Sequence, residues 1–193
     1  GDALKLLQKE FPKLNYFELP SYHISYSKNS KFFKLKFLSI LPKIIKAVKE
    51  EKKIIARIVK EEHISLIISD NRFGARSSFV PSIYLTHQIN ILSGKTTWIT
   101  SKFHQLIINK FDECWIPDDE NSTLSGKLSF PNRLKIPFKH IGVLSRFQLK
   151  ETNIKYDLTV VLSGVEPQRT ILENILLKQL KNYSGSILFV RGV

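Results

Sequence analysis

Residues 65–90 read SLIISDNRFGARSSFVPSIYLTHQIN, and they contain two apolar runs that each end in polar residues. The runs predict buried strands at 65–69 and 82–86, because a strand of a parallel sheet is covered on both faces and is apolar nearly throughout. Helical periodicity over 33–62 and 97–110 places one helix before this pair and another after it. The stretch therefore predicts an α/β fold with a parallel, doubly wound, Rossmann-like sheet.

The same alternation continues towards the end of the sequence. Short strands are predicted at 113–116, where Pro117 ends the run, and at 139–143, and a further strand is predicted near the start at 15–19. A polar segment without periodicity then precedes a new strand, loop, helix and strand over 157–190.

The change of pattern predicts two domains. We expect an N-terminal Rossmann-like domain over 1–147, a linker over 148–156 and the beginning of a second Rossmann-like domain over 157–193.

Composition narrows the class of protein. The 193 residues are 42% hydrophobic, without the run of about 20 apolar residues that a membrane-spanning helix needs or a signal peptide, so we expect a cytoplasmic protein. The single cysteine, Cys114, excludes an internal disulfide and a cysteine-rich metal cluster. The net charge of +13 favours an anionic partner: nucleic acid, an anionic membrane face or phosphorylated small molecules.

The polar residues after the first run form the first candidate site. They are Asp70, Asn71, Arg72 and Gly74, at the place where a doubly wound sheet binds its ligands. Arg72 offers a planar donor group for an anion, and Gly74 permits close approach of the backbone. The alternative is a turn rich in Asn, Asp and Gly that only reverses the chain.

The second candidate follows the next run and contains Thr86, His87, Gln88 and Asn90. His87 is the best candidate for a general base, because an imidazole titrates near neutral pH. The other four histidines lack comparable polar neighbours in the sequence. A histidine with a purely structural role is the alternative.

The third candidate is the loop that follows the predicted strand at 157–162. It contains Ser163, Gly164, Gln168 and Arg169, and Pro167 can begin the helix there. Free backbone N–H groups at a helix N-terminus favour phosphate. The pattern is neither GxGxxG nor a Walker loop, so an ordinary turn between strand and helix is the alternative.

Two charged clusters complete the candidates. Five basic residues share one face of the predicted helix: Lys46, Lys49, Lys53, Arg57 and Lys60. This basic stripe, with Phe32, Phe33, Phe37, Lys34 and Lys36 upstream, predicts either a solvated face or contact with anionic lipid. Asp118, Asp119 and Glu120 suggest a metal site, or more simply a solvated loop.

Four segments resemble a bacterial group of two-domain glycosyltransferases, the GT-B enzymes of the family 28 type. This group is related to the enzyme that adds N-acetylglucosamine to the muramyl lipid of cell-wall synthesis. The segments are LIISDNRFGARSSFVPSIYLTHQIN (66–90), FDECWIPDDENSTLSGKLS (111–129), KHIGVLSRF (139–147) and LTVVLSGVEPQRTILEN (158–174).

The resemblance implies two Rossmann-like domains that face each other across a cleft. By this analogy Asp70, Asn71, Arg72, Gly74, His87 and Gln88 line the acceptor side, with His87 and Asp70 as the catalytic candidates. The donor diphosphate would meet Ser163, Gly164, Gln168 and Arg169. It also implies that no metal and no cofactor is needed, since the nucleotide-sugar is a substrate.

The resemblance also has departures. The usual glycine-proline pair of the donor loop is here Gly164-Val165. The family's first strand and loop would precede Gly1, and most of the donor domain would follow Val193, so we expect the chain by itself to be inactive.

The leading hypothesis is therefore a glycosyltransferase that moves a sugar from a nucleotide-sugar donor to a hydroxyl acceptor, such as a lipid-linked one, in envelope polysaccharide or glycolipid synthesis. Its partners would be the donor, a sugar or lipid-linked acceptor and an anionic membrane surface on the cytoplasmic side. The alternatives are a nucleotide-sugar epimerase of the same fold and a basic nucleic-acid-binding protein. Aromatic and basic residues are not interleaved in a recognisable nucleic-acid motif, which disfavours the last.

Overall fold

The structure is a computed structural model that describes residues 2–22, 33–131, 133–164 and 166–191. The described residues leave out His23, one of the five histidines, Phe32 upstream of the basic stripe, and Val165 of the predicted donor loop. Of Phe33, Lys34, Lys36 and Phe37, only the backbone is described. The chain divides into two compact units, Gly1–Ser145 and Arg146–Val193. The predicted end of the first domain at residue 147 lies close to this division.

The first unit contains a parallel sheet of four strands. Its helices are α1 (Asp2–Glu10), α2 (Phe33–Glu61) and α3 (Thr97–Ile108), and its strands are β1 (Ile67–Asp70), β2 (Ser82–Leu85), β3 (Glu113–Ile116) and β4 (Phe138–His140). All neighbouring strands are parallel, in the order β1-β2-β3-β4. The predicted parallel α/β arrangement is confirmed for these strands.

Packing explains why β2 and β3 lie at the centre. Ser82, Ile83 and Tyr84 of β2 are all buried, as a continuous apolar run in a parallel strand predicts. The core consists of Tyr84, Ile89, Ile108, Phe111, Cys114 and Ile116. Cys114 is completely buried, and burial raises the pKa of its thiol to about 12. This thiol is therefore an apolar core group rather than a nucleophile.

Strand register brings the loops to one edge of the sheet. Asp70 lies opposite Leu85, Leu85 lies opposite Trp115, and Ile116 lies opposite His140. Because the strands are parallel and in register, the loops that begin at residues 71, 86, 117 and 141 leave from the same side. We call this side the carboxyl edge.

The long helix α2 is amphipathic over its described side chains. Ile44, Ala47, Ile58 and Val59 are buried at helical spacing, while its basic residues face outwards. Pro42 lies inside the helix, and the predicted span of 33–62 agrees with the structure. Glu51 is also completely buried on this apolar stripe.

The second unit is a parallel strand, helix and strand. It contains β5 (Leu158–Leu162), α4 (Gln168–Gln179) and β6 (Ile187–Arg191). The register runs from Leu158 opposite Ile187 to Leu162 opposite Arg191. Only Leu162 has a buried side chain among the described residues of this unit.

One predicted strand is wrong. Residues 15–19 form no strand, and Tyr16 and Phe17 are exposed. A strand needs a neighbour for its backbone hydrogen bonds, and no described strand pairs with this segment. Separately, in the described part of the chain no helix combines the length and hydropathy that crossing a bilayer requires.

Candidate functional site

The loops after β1 and β2 are joined at the carboxyl edge. Asn71 has a φ of 52°, in the left-handed region that asparagine tolerates better than most residues. Its Oδ1 accepts a hydrogen bond from the Thr86 hydroxyl at 2.7 Å, and its backbone N–H donates to the Leu85 carbonyl at 3.2 Å. Thr86 Oγ1 in turn accepts from the Gln88 N–H at 3.0 Å. Two of the predicted site loops therefore form one connected unit.

Exposed polar groups lie around this unit. The Asp70 and His87 side chains are exposed, and Gln88 is half-buried. Asp70 Oδ1 accepts a hydrogen bond from Asn71 Nδ2 at 3.3 Å. Asp70 lies opposite Leu85, and His87 and Gln88 follow Leu85 along the chain. The Asp70 carboxylate, the His87 imidazole and the Gln88 amide therefore lie at the carboxyl edge.

The buried carboxylate of Glu51 on α2 binds the loop after β1. Glu51 of α2 accepts hydrogen bonds from Arg72 Nε, from the Tyr22 hydroxyl and, at 2.9 Å, from the Gly74 N–H. The Tyr22 hydroxyl also accepts from the Phe73 N–H at 2.9 Å. Burial, together with the neighbouring carboxylate, raises the pKa of Tyr22, so its hydroxyl stays a donor.

Arg72 is mostly committed to this cluster. Besides its ion pair with Glu51, it donates from a terminal nitrogen to the Pro20 carbonyl at 2.6 Å and lies over the Tyr22 ring, 5.1 Å from its centre. The side chain predicted to bind an anionic ligand therefore has an anion of the protein beside it already.

Gly74 is required by packing against α2. A Cβ built on it would lie 2.6 Å from the Val48 carbonyl oxygen and 2.7 Å from Glu51 Oε2. The sequence pattern suggested a different reason, close approach to a ligand, and it did not reveal Glu51 or Tyr22. The available signal was a glutamate at a core position of α2, four residues after Ala47 and seven before Ile58.

The side chain of Asn90 connects neighbouring elements through hydrogen bonds. Its Nδ2 donates to the carbonyls of Lys127 (2.8 Å) and Phe130 (2.9 Å), and its Oδ1 accepts from Gln105 Nε2 at 2.8 Å. Asn90 therefore ties the loop after β2 to α3 and to the loop after β3. The amide groups of Asn90 therefore have protein partners, and Asn90 belongs to the framework of the site.

The acidic residues after β3 organise their own loop. Asp118 is completely buried and accepts hydrogen bonds from the N–H groups of Asp119 (2.8 Å) and Ser125 (2.9 Å), from the Ser125 hydroxyl and from Ser129 Oγ at 3.3 Å. These bonds, above all the one from the Ser125 hydroxyl, lower the pKa of Asp118. The interpretation of Asp118 as a solvated residue is wrong, because its carboxylate is the centre of the turn.

Asp119 continues the same arrangement at the surface. It accepts from the N–H groups of Asn121 at 2.8 Å and Thr123 at 3.1 Å, and from the Thr123 hydroxyl. Among the described residues, no group of three or more His, Cys, Asp or Glu side chains could hold a metal ion.

The N-terminus of α4 has a carboxylate of its own. Glu166 Oε1 accepts from Arg169, at 2.9 Å from Nε and 2.6 Å from a terminal nitrogen, and Oε2 accepts from the Thr170 hydroxyl at 2.8 Å. The hydrogen bond from Thr170 and the pairing with Arg169 lower the pKa of Glu166. Ser163 and Gly164 are exposed just before this point, and Gly164 has a φ of 114° that only glycine adopts readily.

His104 belongs to the core. Its ring packs edge-on against Tyr84 and Phe73, and Nε2 lies 3.4 Å from the Tyr84 hydroxyl. Burial lowers the pKa of His104, so the ring is neutral at physiological pH. No sequence pattern indicated this pairing, because residues 84 and 104 meet only through the packing of α3 on the sheet.

No family model, no curated protein and no solved structure matches the chain. The fold and the site together define an α/β protein with a parallel sheet. At its carboxyl edge Asn71 and Thr86 connect two loops that present Asp70, His87 and Gln88.

Proposed function

We propose that the protein is a glycosyltransferase of the GT-B type, which moves a sugar from a nucleotide-sugar donor to a hydroxyl acceptor in the synthesis of an envelope polysaccharide or glycolipid. The observation that carries the proposal is the connected pair of loops at the carboxyl edge, because the segments with the family resemblance are the ones that supply these polar groups. The second unit, in which α4 connects the parallel strands β5 and β6, agrees with a two-domain transferase.

The acceptor side is assigned to the first unit. His87 is the general base, because its imidazole is exposed at the edge and can take the proton of an acceptor hydroxyl. Asp70, Asn71 and Gln88 supply acceptors and donors for the hydroxyl groups of a sugar. Arg72 and Gly74 are positioning residues in this scheme, since their contacts with Glu51 fix the loop that carries Asp70.

The donor side is assigned to the second unit. Ser163, Gly164 and the N-terminus of α4 at Gln168 offer small side chains and backbone N–H groups, which suit a diphosphate. Arg169 supplies a positive charge there. Because Glu166 pairs with Arg169, the diphosphate competes with this carboxylate for the guanidinium.

The proposed chemical step is the transfer of one glycosyl group. The acceptor oxygen forms a bond to the anomeric carbon of the donor sugar, and the bond from that carbon to the nucleoside diphosphate breaks. The hydroxyl proton goes to His87, and the diphosphate leaves with the bonding electron pair. Its developing charge is stabilised by the N-terminus of α4 and by Arg169. The proposal includes a doubly wound sheet, a cytoplasmic location and catalysis without a metal or other cofactor.

The test is turnover of nucleotide-sugars by the protein at its full length. A panel of uridine, guanosine, adenosine and thymidine diphosphate sugars is incubated with cell extract as the source of acceptors, and free nucleoside diphosphate is measured. We expect release from at least one donor, its loss in His87→Asn, and normal release in His63→Asn. His63 is a matched control because it is an exposed histidine at the other end of the first unit's strand β1.

The alternatives give different results in the same assay. An epimerase converts the donor sugar without an acceptor and without release of diphosphate. If no donor is consumed, and the protein instead binds nucleic acid at physiological salt, the glycosyltransferase proposal is wrong.

A further inference from the structure

The solvent-exposed face of α3 carries apolar side chains, whereas an exposed helix face is usually polar. Trp98 is 62% exposed, and Ile99, Phe103 and Leu106 are about half exposed on the same side of the helix. The buried side of α3 is more polar, with Ser101, His104 and Gln105. Exposed aromatic and aliphatic groups in one continuous area indicate a binding surface rather than scattered solvent-exposed residues.

Two adjoining cavities extend this face towards the loop after β3. The first has a volume of about 440 Å³ and the second about 620 Å³, and both are bounded by Trp98, Gln105 and Arg133. Leu92 and Phe130, which are both more than half exposed, line the first cavity, and Leu106 lines the second. The apolar surface therefore runs from the helix into a groove.

Hydrogen bonds within the protein hold the walls of the groove in place. Asn90 holds the Lys127 and Phe130 carbonyls on one side and Gln105 on the other. Gln105 and Ser101 are almost completely buried beneath the surface. The exposed apolar side chains thus rest on a braced framework and are not a product of loose packing.

Four cations surround the apolar groups, and together with them form what we call the α3 face. Its apolar members are Leu92, Trp98, Ile99, Phe103, Leu106 and Phe130, and its basic members are Lys102, Lys127, Arg133 and Lys135. Within the described ranges, none of the four cations forms an ion pair with a carboxylate. On α2, by contrast, Lys46 pairs with Glu50 and Arg57 with Glu61. The α3 face is therefore positive without internal compensation.

The combination of apolar and basic groups on the α3 face indicates which class of partner binds there. The centre of a protein interface is depleted in lysine, whereas here Lys102 lies among the apolar residues. Nucleic acid would use the cations and would stack its bases on the aromatic rings, but it has no use for the exposed aliphatic side chains of Ile99 and Leu106. A bilayer uses both, because tryptophan and aliphatic groups enter the region below the headgroups while lysine and arginine contact anionic phosphates.

We propose that the α3 face docks the protein onto an anionic lipid bilayer, with Trp98 inserted below the headgroups. The surface differs from the basic stripe of α2 that the sequence singled out. Over residues 42–61, where the side chains of α2 are described, the apolar residues Ile44, Ala47, Ile58 and Val59 face the core. Apart from Ile45, this part of α2 therefore offers the bilayer mainly charge. Docking does not depend on sugar transfer, since it requires neither donor nor acceptor.

Sedimentation with lipid vesicles tests the docking. The full chain is mixed with vesicles of phosphatidylglycerol and phosphatidylcholine, or of phosphatidylcholine alone, and the bound fraction is measured. We expect clear preference for the anionic vesicles, a loss of about tenfold or more in Arg133→Ala/Lys135→Ala, and a similar loss in Trp98→Ser/Leu106→Ser. The control, Lys49→Ala/Lys53→Ala, removes the same charge from α2 and leaves binding unchanged.

Fluorescence gives a second readout of insertion. The protein has two tryptophans, so Trp115→Phe leaves Trp98 as the only one. We expect its emission to shift to shorter wavelength on anionic vesicles and to be quenched by lipids brominated on the acyl chain.

Three results would overturn the proposal. They are equal binding to neutral and anionic vesicles, loss of binding in the α2 control but not in the α3-face variants, and no quenching of Trp98 by brominated lipid. Self-association through the α3 face without vesicle binding would assign the surface to a second copy of the chain instead. The test of sugar transfer is read separately, as release of nucleoside diphosphate, so none of these results decides it.

Discussion

Glu51 in the middle of α2 and Arg72 in the loop after β1 form an ion pair in which the carboxylate is completely buried. The pair joins the long helix to the loop that carries Asp70 and Asn71. Since Arg72 also donates to the Pro20 carbonyl, the chain around Pro20 is held on the same loop. The stability of the first unit and the shape of its candidate site therefore depend on the same contact.

Arg72→Ala should lower the free energy of unfolding by about 3 kcal/mol, because it leaves a buried charge without its partner. The loss should be at the low end for such changes, since Tyr22 and Gly74 still donate to Glu51. Chemical denaturation measures it. The control is Arg57→Ala, which breaks an exposed pair with Glu61 on α2 and should change stability by less than about 1 kcal/mol. Equal effects of the two substitutions would contradict the structural role given to Arg72.

Glu166→Gln should tighten the binding of a nucleoside diphosphate by a few-fold. The reason is that the carboxylate competes with the diphosphate for Arg169 at the N-terminus of α4. Isothermal titration with uridine diphosphate and the other nucleoside diphosphates measures the change. Glu173→Gln removes a second arginine-paired carboxylate of α4, the partner of Arg191, and should have little effect. Weaker binding by Glu166→Gln would place the diphosphate elsewhere.

Asp118→Asn should destabilise the protein at neutral pH and much less in acid. The pKa of Asp118 is lowered by its hydrogen bonds, so its contribution is complete above the unfolded value of about 4 and is lost as pH falls towards the folded value. Urea denaturation over a range of pH should therefore give curves for wild type and variant that converge at low pH. Glu120→Gln, an exposed neighbour, should follow the wild type throughout. A constant difference at all pH values would show that the charge of Asp118 is not what stabilises the turn.

His104→Gln should remove part of the loss of stability below pH 6.5. Burial lowers the pKa of His104 in the folded protein. Below the unfolded value of about 6.5 the unfolded chain binds a proton that the folded chain does not bind, so stability falls as pH drops. Glutamine cannot titrate and can still meet the Tyr84 hydroxyl. The measurement is the midpoint of denaturation between pH 7.5 and 5, with His87→Gln as the exposed control. An unchanged acid slope in His104→Gln would show that the ring is protonated in the folded state.

The parallel strands β1, β2, β3 and β5 were predicted closely from the sequence. Each is a short apolar run that ends in polar turn residues, a pattern typical of parallel strands. Burial on both faces was predicted correctly for β2 but not for β1, where Ile68 is exposed, or for β5, where Val161 is exposed. The prediction failed at 15–19, a run that pairs with none of the strands in the described part of the chain. Pairing is a property of the whole fold, which a local pattern cannot contain.

The site was predicted by position more successfully than by role. The residues at the carboxyl edge follow from strand direction, so Asp70, Asn71 and His87 could be placed from the sequence. The role of Arg72 could not, because its partner Glu51 lies 21 residues earlier on a helix whose packing only the fold determines. Asp118 was misread for a related reason: its donors come from a turn up to 11 residues further along the chain.

Sugar transfer is tested most directly by following a tritiated sugar from its nucleotide donor to an extractable acceptor with the protein at full length. We expect labelled product with at least one donor, abolished in His87→Asn and retained in His63→Asn. Labelled product that forms equally well in His87→Asn, or no labelled product with any donor, would contradict the assignment of sugar transfer to the carboxyl edge.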